Sequence, residues 1–169
     1  EKGTNRLDFA RGKVSKYNWR DLGSSFILSN YASALLLGQL KREREISRLR
    51  LEIWSNYYNF FSSLKDLGSK YRIVTIPPYA KHNGHLFFLI FSSKNLANKF
   101  SSYMRSMGYE VSKHYEPLHS SPYGLKTGRV VGRLGETEKA ANCLVRLPLW
   151  PGIKVDSLLE SSSRIINKL

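Results

Sequence analysis

The sequence predicts an α/β fold in which a small sheet is covered by helices. One observation behind this prediction is the continuous apolar run HLFFLIF at residues 85–91, which is typical of a buried strand. The other is the recurrence of apolar residues at spacings of three and four on both sides of that run, which is typical of amphipathic helices. In the second half of the chain these patterns predict the order strand, helix, strand, loop, helix, strand, helix.

The composition fits a protein with a real core and an anionic partner. Of the 169 residues, 41% are hydrophobic and 12% aromatic, which is enough apolar material for one domain or slightly more. No apolar run is long enough to span a bilayer, so we expect no membrane span. A single cysteine, Cys143, gives no reason to expect an oxidising compartment, and we expect a cytoplasmic location. The formal charge of +14 favours an anionic partner, which could be nucleic acid, an acidic membrane surface, a phosphorylated small molecule or an acidic protein surface.

The first 70 residues predict a polar segment followed by a long helix. Residues 1–24 are polar, contain three glycines and show no apolar period, so we expect an irregular segment. Ser29 is a suitable cap for a helix that begins at Asn30, and its ALLLGQL stretch predicts burial on most sides. We expect one break near Lys41 and an end near Gly68. The predicted core stripe of the second half consists of Ile46, Leu49, Ile53, Tyr57, Phe60 and Leu64.

The remaining elements follow from turn residues and apolar spacing. Residues 74–84 contain two prolines and predict a linker, after which 85–91 form a strand buried on both faces. Ser92 or Ser93 caps the next helix, which ends at Gly108. Its predicted core stripe is Leu96, Phe100, Met104 and Met107.

The last third of the chain predicts two strands and two helices around a long loop. Residues 110–115 form a short strand, 116–136 a Gly-, Pro- and Ser-rich loop, and Thr137 starts a helix. Residues 146–150 are extended, and 155–169 form the final helix. Its predicted core side is Leu158, Leu159, Ile165 and Leu169.

The segment KHYEPLHSSPYG at residues 113–124 is the strongest candidate for chemistry. It holds His114, Tyr115 and His119 around a proline. A zinc site needs closely spaced ligand pairs, and no Cys or second His pair accompanies these residues, so we expect no metal. Imidazole and phenol donors on a loop suit an oxyanion ligand, whereas a surface turn with incidental histidines is the alternative.

Several segments together resemble one enzyme family. EKGTNR, KYNWRDLGSSF and ALLLGQL are followed, in the same order as in that family, by NGHLFF, KHYEPLH and TEKAANCLVRLPL. The chain resembles the C-terminal portion of sugar-nucleotide aminotransferases of the DegT/DnrJ type. Within the family it is most similar to the members that form dTDP-4-amino-4,6-dideoxygalactose for bacterial surface polysaccharides such as enterobacterial common antigen.

The resemblance implies a fold, a cofactor and partners. These proteins are fold-type I enzymes that use pyridoxal 5′-phosphate and act as homodimers. Glutamate supplies the amino group, and a nucleotide-linked 4-keto-6-deoxyhexose receives it. Residues 1–70 would then be the trailing edge of the large cofactor-binding domain and the connecting helix. Residues 71–169 would form the small C-terminal domain.

The resemblance also implies site residues. Ser25 corresponds to a residue that reaches the cofactor phosphate of the neighbouring subunit, although many members have Asn there. His114, Tyr115 and His119 would contact the nucleotide sugar. Weaker substrate candidates lie in the upstream loop, and they are Lys16, Tyr17, Trp19 and Arg20.

The resemblance places no catalytic residue in this chain. The lysine that binds the cofactor covalently precedes EKGTNR in the family, and hence lies upstream of residue 1. Asn30 and Tyr31 also depart from the family pattern. We therefore expect the chain alone to be inactive, as part of a larger enzyme.

Two other classes stay open. One is a non-catalytic remnant or interaction module that keeps the small domain. The other is a basic nucleic-acid-binding protein. The aromatic residues of this chain fall in apolar stripes instead of alternating with Lys and Arg, so we do not expect nucleic acid as the partner.

Overall fold

The structure is a computed structural model, and it describes residues 3–16, 18–24, 26, 28–64 and 70–169. The chain divides into two compact units, Glu1–Glu43 and Arg44–Leu169. The predicted combination of helices with one small sheet is confirmed. In the described ranges, every helix is too short or too polar to cross a membrane.

The first unit contains two helices, α1 (Arg6–Ala10) and α2 (Asn30–Lys41). The prediction that residues 1–24 are irregular throughout is wrong, because α1 forms there and Thr4 pairs with Trp19 in an antiparallel bridge. The predicted cap of α2 is confirmed, since the side chain of Ser29 accepts a hydrogen bond from the Ala32 amide at 3.2 Å.

Helix α2 does not have the burial that its sequence predicts. None of its residues is buried, and Leu35 is 68% exposed. The leucines of ALLLGQL are 43% to 68% exposed, because a unit of 43 residues offers too little apolar material to cover them.

Helix α3 (Glu43–Ser63) begins directly after α2, so the predicted break near Lys41 is confirmed. The core stripe is rotated from the predicted one. Ile53 and Tyr57 are buried as expected, but Trp54 and Phe61 complete the buried face, while Phe60 and Leu64 pack at its margin. The stretch in which we predicted the helix end, near Gly68, lies outside the described residues.

The rest of the second unit forms a three-stranded antiparallel sheet with helices packed on it. The strands are β1 (Tyr71–Ile73), β2 (Phe87–Phe91) and β3 (Leu144–Leu147), in the spatial order β1-β2-β3. Tyr71 pairs with Phe91, and Phe87 pairs with Leu147. The helices are α4 (Lys94–Ser106), α5 (Pro122–Thr127), α6 (Gly135–Cys143) and α7 (Val155–Ile166), with a 3₁₀ turn at Leu118–Ser120.

The structure corrects the sequence prediction at the strands. Strand β1 was not predicted, because three residues are too few to show a period. The predicted strand at 110–115 is wrong, since only Ser112 pairs, in a single bridge with Arg146. The strand predicted at 85–91 is confirmed over Phe87–Phe91, but the predicted burial on both faces is complete on one face only. Its Phe87, Leu89 and Phe91 are fully buried, whereas the alternate residues are half-buried because helices cover one face of the antiparallel sheet completely.

The helices of the second unit are closer to expectation. Ser93 caps α4 by accepting a hydrogen bond from the Leu96 amide at 3.3 Å, and Phe100 and Met104 are buried as predicted. Met107 is 44% exposed because it follows the last helical turn. Helix α6 starts two residues before Thr137. The loop predicted at 116–136 is wrong in part, because the 3₁₀ turn and α5 lie within it.

The core is an aromatic cluster between α3 and β2. Phe87 contacts three rings of α3, with centroid distances of 5.6 Å to Trp54, 5.3 Å to Tyr57 and 5.8 Å to Phe61. Offset and edge-to-face pairs at such distances add to the energy of apolar burial. Phe91 continues the cluster towards α4 by contacting Phe100 at 5.0 Å.

The same face of α3 binds the chain at the ends of two strands through hydrogen bonds. The guanidinium of Arg50 donates to the backbone oxygens of Gly84, His85 and Leu149 at 3.0, 2.8 and 2.9 Å. The Trp54 indole donates to Leu86 at 3.1 Å, and the Tyr57 hydroxyl donates to Pro148 at 2.8 Å. Carbonyls that leave the sheet ladder are therefore satisfied by α3.

We expect Gly84→Ala to destabilise the protein by about 2 kcal/mol, measured by urea unfolding. Gly84 has φ +63°, and a Cβ there would lie 3.1 Å from the backbone of Arg50 in α3. The matched control is Gly108→Ala, which has φ +84° but meets nothing within 4 Å. The free energy of unfolding of this control should fall by only about 1 kcal/mol, from backbone strain alone. Equal losses in the two variants would contradict the close approach at Gly84.

We expect the free energy of unfolding to fall above about pH 10, where free tyrosine ionises. Burial, and to a lesser extent the nearby Tyr109, raises the pKa of Tyr57 above its ordinary 10.0, and burial raises the pKa of Tyr71. The folded state therefore holds these protons more tightly than the unfolded state, so stability is full below pH 10 and declines above it. Urea midpoints from pH 8 to 11 test this.

Tyr57→Phe separates the two contributions of that side chain. This variant should have a free energy of unfolding about 1 kcal/mol lower at pH 8, because the Pro148 carbonyl loses its donor. Its decline above pH 10 should be shallower than that of the wild type. An unchanged slope would show that Tyr57 does not cause the decline.

Candidate functional site

The candidate loop starts at the edge of the sheet. Ser112 exchanges backbone hydrogen bonds with Arg146 of β3, at 2.7 and 3.3 Å. From there residues 113–117 run beside helix α6 without regular structure and end in the 3₁₀ turn. The single bridge therefore determines where the loop leaves the core.

His114 and Tyr115 lie together on a concave surface. Their rings meet edge to face with centroids 4.7 Å apart, and Tyr115 is 80% exposed. They line a groove of about 440 Å³ whose opposite wall includes Glu138 and Asn142 of α6. An exposed imidazole and phenol opposite a carboxylate and an amide can bind a ligand that carries both phosphate and hydroxyl groups.

His119 occupies a different position from the other two predicted residues. Its side chain is only 18% exposed, and its Nε2 lies 3.4 Å from the Oε1 of Glu138. It lines another hollow, of about 380 Å³, beside Tyr123 and Arg129. The structure thus brings His114 and Tyr115 into one groove, and Glu138 connects that groove to His119.

The turn that holds His119 depends on a glycine. A Cβ at Gly124 would lie 1.7 Å from the Leu118 oxygen, so only glycine allows the start of α5 to pack on the 3₁₀ turn. Ser121 caps α5 by accepting from the Gly124 amide at 3.1 Å, and its hydroxyl donates to the Leu118 oxygen at 2.8 Å. These contacts give a proline-rich loop one defined shape.

The candidates in the first unit form a separate set. Lys16 and Arg20 are exposed, and the Arg20 amide donates to the Gly3 oxygen at 2.7 Å. The Trp19 side chain is 78% exposed. The remaining two candidates, Tyr17 and Ser25, lie outside the described residues.

Sequence reasoning missed the wall that α6 contributes to the groove. Glu138, Ala141 and Asn142 line it from one helix face, and the Asn142 amide donates to the Glu138 carbonyl at 2.9 Å. The signal in the sequence is the polar pair at positions 138 and 142, which a helix places on one side. Only the position of the loop shows that this side lines the groove.

The described residues do not supply a lysine suited to pyridoxal phosphate. A lysine that forms a Schiff base needs a desolvated pocket that lowers its pKa. Of the lysines in the described ranges, all except Lys70 are exposed, and Lys70 Nζ donates to the Ile166 oxygen at 3.0 Å. In the same ranges, no three His, Cys, Asp or Glu residues are grouped so as to hold a metal ion.

Comparison with known proteins finds similar sequences and similar solved structures. An uncharacterized protein of Methanocaldococcus jannaschii, MJ1066, is 25% identical over 148 residues, which cover 85% of this chain and 37% of that protein. Helicobacter pylori PseC, an aminotransferase involved in the biosynthesis of pseudoaminic acid, has a TM-score of 0.77 at 17% identity over 91% of this chain and 42% of its own.

A further solved structure shares the fold. Spr1654 from Streptococcus pneumoniae, in its PLP form, has a TM-score of 0.70 at 18% identity and covers 92% of this chain and 40% of its own. The chain therefore spans about two fifths of the length of the relatives that it matches. The sequence pattern of one family matches residues 4–169, nearly the whole chain. The chain belongs to the DegT/DnrJ/EryC1/StrS aminotransferase family.

Proposed function

We propose that this chain is the C-terminal portion of an enzyme that transfers an amino group from glutamate to a nucleotide-linked 4-keto-6-deoxyhexose, with dTDP as the nucleotide carrier. The observation that carries the proposal is the groove of His114 and Tyr115, which lies on the fold of a sugar aminotransferase family. The product would enter bacterial surface polysaccharides.

In this proposal the loop binds the sugar nucleotide. Lys113, His114 and Tyr115 line the groove and offer an ammonium, an imidazole and a phenol to phosphate oxygens. Glu138 and Asn142 face them and accept hydrogen bonds from sugar hydroxyls. His119 acts through Glu138, because its ring contacts that carboxylate and not the groove.

We also propose ligand contacts for residues of the first unit. Lys16, Tyr17 and Arg20 contact the substrate, and Ser25 donates its hydroxyl to the cofactor phosphate of the partner subunit. The exposed apolar side chains of this unit support its role as the trailing edge of a larger domain in a homodimer. They include Leu22 at 97%, Phe26 at 93%, Tyr31 at 91% and Leu35 at 68% exposure.

Pyridoxal phosphate, when bound, supplies the electron sink that amino transfer requires. In this proposal another part of the enzyme would supply the lysine that binds it covalently, since each described lysine is exposed or, like Lys70, donates to a backbone oxygen. The chain's own contribution is to bind and orient the sugar nucleotide and to cover the ligand with the loop.

We expect the chain, when fused to or co-expressed with the N-terminal portion of a family member, to gain the visible absorbance of bound pyridoxal phosphate. A portion that restores both a lysine and a complete large domain removes the exposed apolar surface of the first unit. Absorbance spectra after gel filtration measure this. A co-eluting complex that stays colourless would favour a non-catalytic remnant.

In the coloured protein, we expect His114→Ala combined with Tyr115→Phe to raise KM for the sugar nucleotide at least ten-fold, a loss of about 1.4 kcal/mol in binding. The absorbance of the cofactor should not change. The control is Tyr79→Phe, an exposed tyrosine outside the groove, which should leave KM within two-fold. An unchanged KM in the double variant would remove the loop from the substrate site.

A further inference from the structure

A second hollow of the Arg44–Leu169 unit has the chemistry of an anion site. Its volume is about 790 Å³, and it lies where β3 ends, between the segment at residues 108–112 and the start of α7. Arg50, Arg146 and Lys154 line it, together with one carboxylate, Glu110, and the ring of Trp150. It shares no lining residue with the groove of His114 and Tyr115.

Arg146 is the unusual member of this set. It lies on β3, and its side chain is half-buried. Its Nε atom is buried and has no hydrogen-bond partner among the described residues. Buried donors in native proteins are nearly always paired with protein, water or an ion, so the unpaired Nε of an arginine whose side chain lines a hollow indicates a missing acceptor.

Arg50 shows what a structural arginine does in the same place. Its guanidinium donates to three backbone carbonyls, so its hydrogen bonds are used within the fold. Its charge still adds to that of Arg146 and Lys154. Three cations against the one carboxylate of Glu110 leave an excess of positive charge in the hollow. In the described part of the chain, Glu110 forms no ion pair with any of these cations.

We propose that this hollow binds a small phosphorylated molecule, with the phosphate on Arg146 and Lys154. A planar guanidinium matches phosphate oxygens in a two-pronged hydrogen bond, and the ammonium of lysine adds a point charge. Pro148, Leu149 and Trp150 form an apolar wall for the organic part of the ligand. The site goes beyond the proposed aminotransferase function and does not depend on it.

The test is calorimetric titration of the full 169-residue chain with phenyl phosphate at low salt. We expect saturable binding of one molecule per chain, with inorganic phosphate competing but binding more weakly because it cannot contact Trp150. Arg146→Met should weaken binding at least ten-fold. The control is Arg72→Met on β1, an exposed arginine of the same sheet that does not line the hollow, which should change the affinity less than two-fold.

Lys154→Met serves as a second variant, because Lys154 is exposed and its loss should not disturb folding. It should weaken binding about five-fold while circular dichroism stays unchanged.

The proposal is overturned by an absence of saturable binding, or by equal effects of Arg146→Met and Arg72→Met. It is also overturned if His114→Ala, and not Lys154→Met, removes binding, because the ligand then occupies the loop groove. None of these results bears on the cofactor absorbance that tests the aminotransferase proposal.

Discussion

The packing of one face of α3 on the strand ends is the constraint on which the second unit depends. Tyr57 and Phe61 enclose Phe87 of β2, and Arg50 satisfies three carbonyls of the segments that enter β2 and leave β3. Apolar burial and hydrogen bonding are thus supplied by one helix. For this reason α3 belongs to the compact unit of the sheet, although it follows α2 in sequence almost without interruption.

This packing also determines the geometry of both candidate binding regions. Because α3 fixes where β3 ends, it positions Arg146 and its bridge to Ser112, from which the loop departs towards α6. The residues that line the groove of His114 and Tyr115 all lie between Ser112 and Arg146 in sequence. The hollow of Arg146 and Lys154 is lined by the two bridged residues and by residues that precede Ser112 or follow Arg146. Two surfaces with different chemistry therefore share one structural support.

The two units differ in how far they satisfy their own apolar surface. The second unit buries an aromatic core, whereas the helix α2 of the first unit buries none of its residues. A chain that spans about two fifths of its relatives and keeps a strongly apolar, uncovered helix is consistent with the proposal that this helix belongs to a larger domain. The family membership rests on nearly the whole chain, while the groove proposed for the substrate is lined by the second unit alone.

Local chemistry alone determined much of this protein. The caps at Ser29 and Ser93, the break after Lys41 and the strand at β2 were predictable, because each depends on neighbouring residues. His114 and Tyr115 were predictable as a pair because they are adjacent in sequence. Tertiary structure alone decided the pairing of β1, the rotation of the α3 stripe, the separation of His119 from the groove and the burial of Arg146 Nε without a partner among the described residues. Each of these depends on contacts between residues far apart in the chain, which no local period or cap encodes.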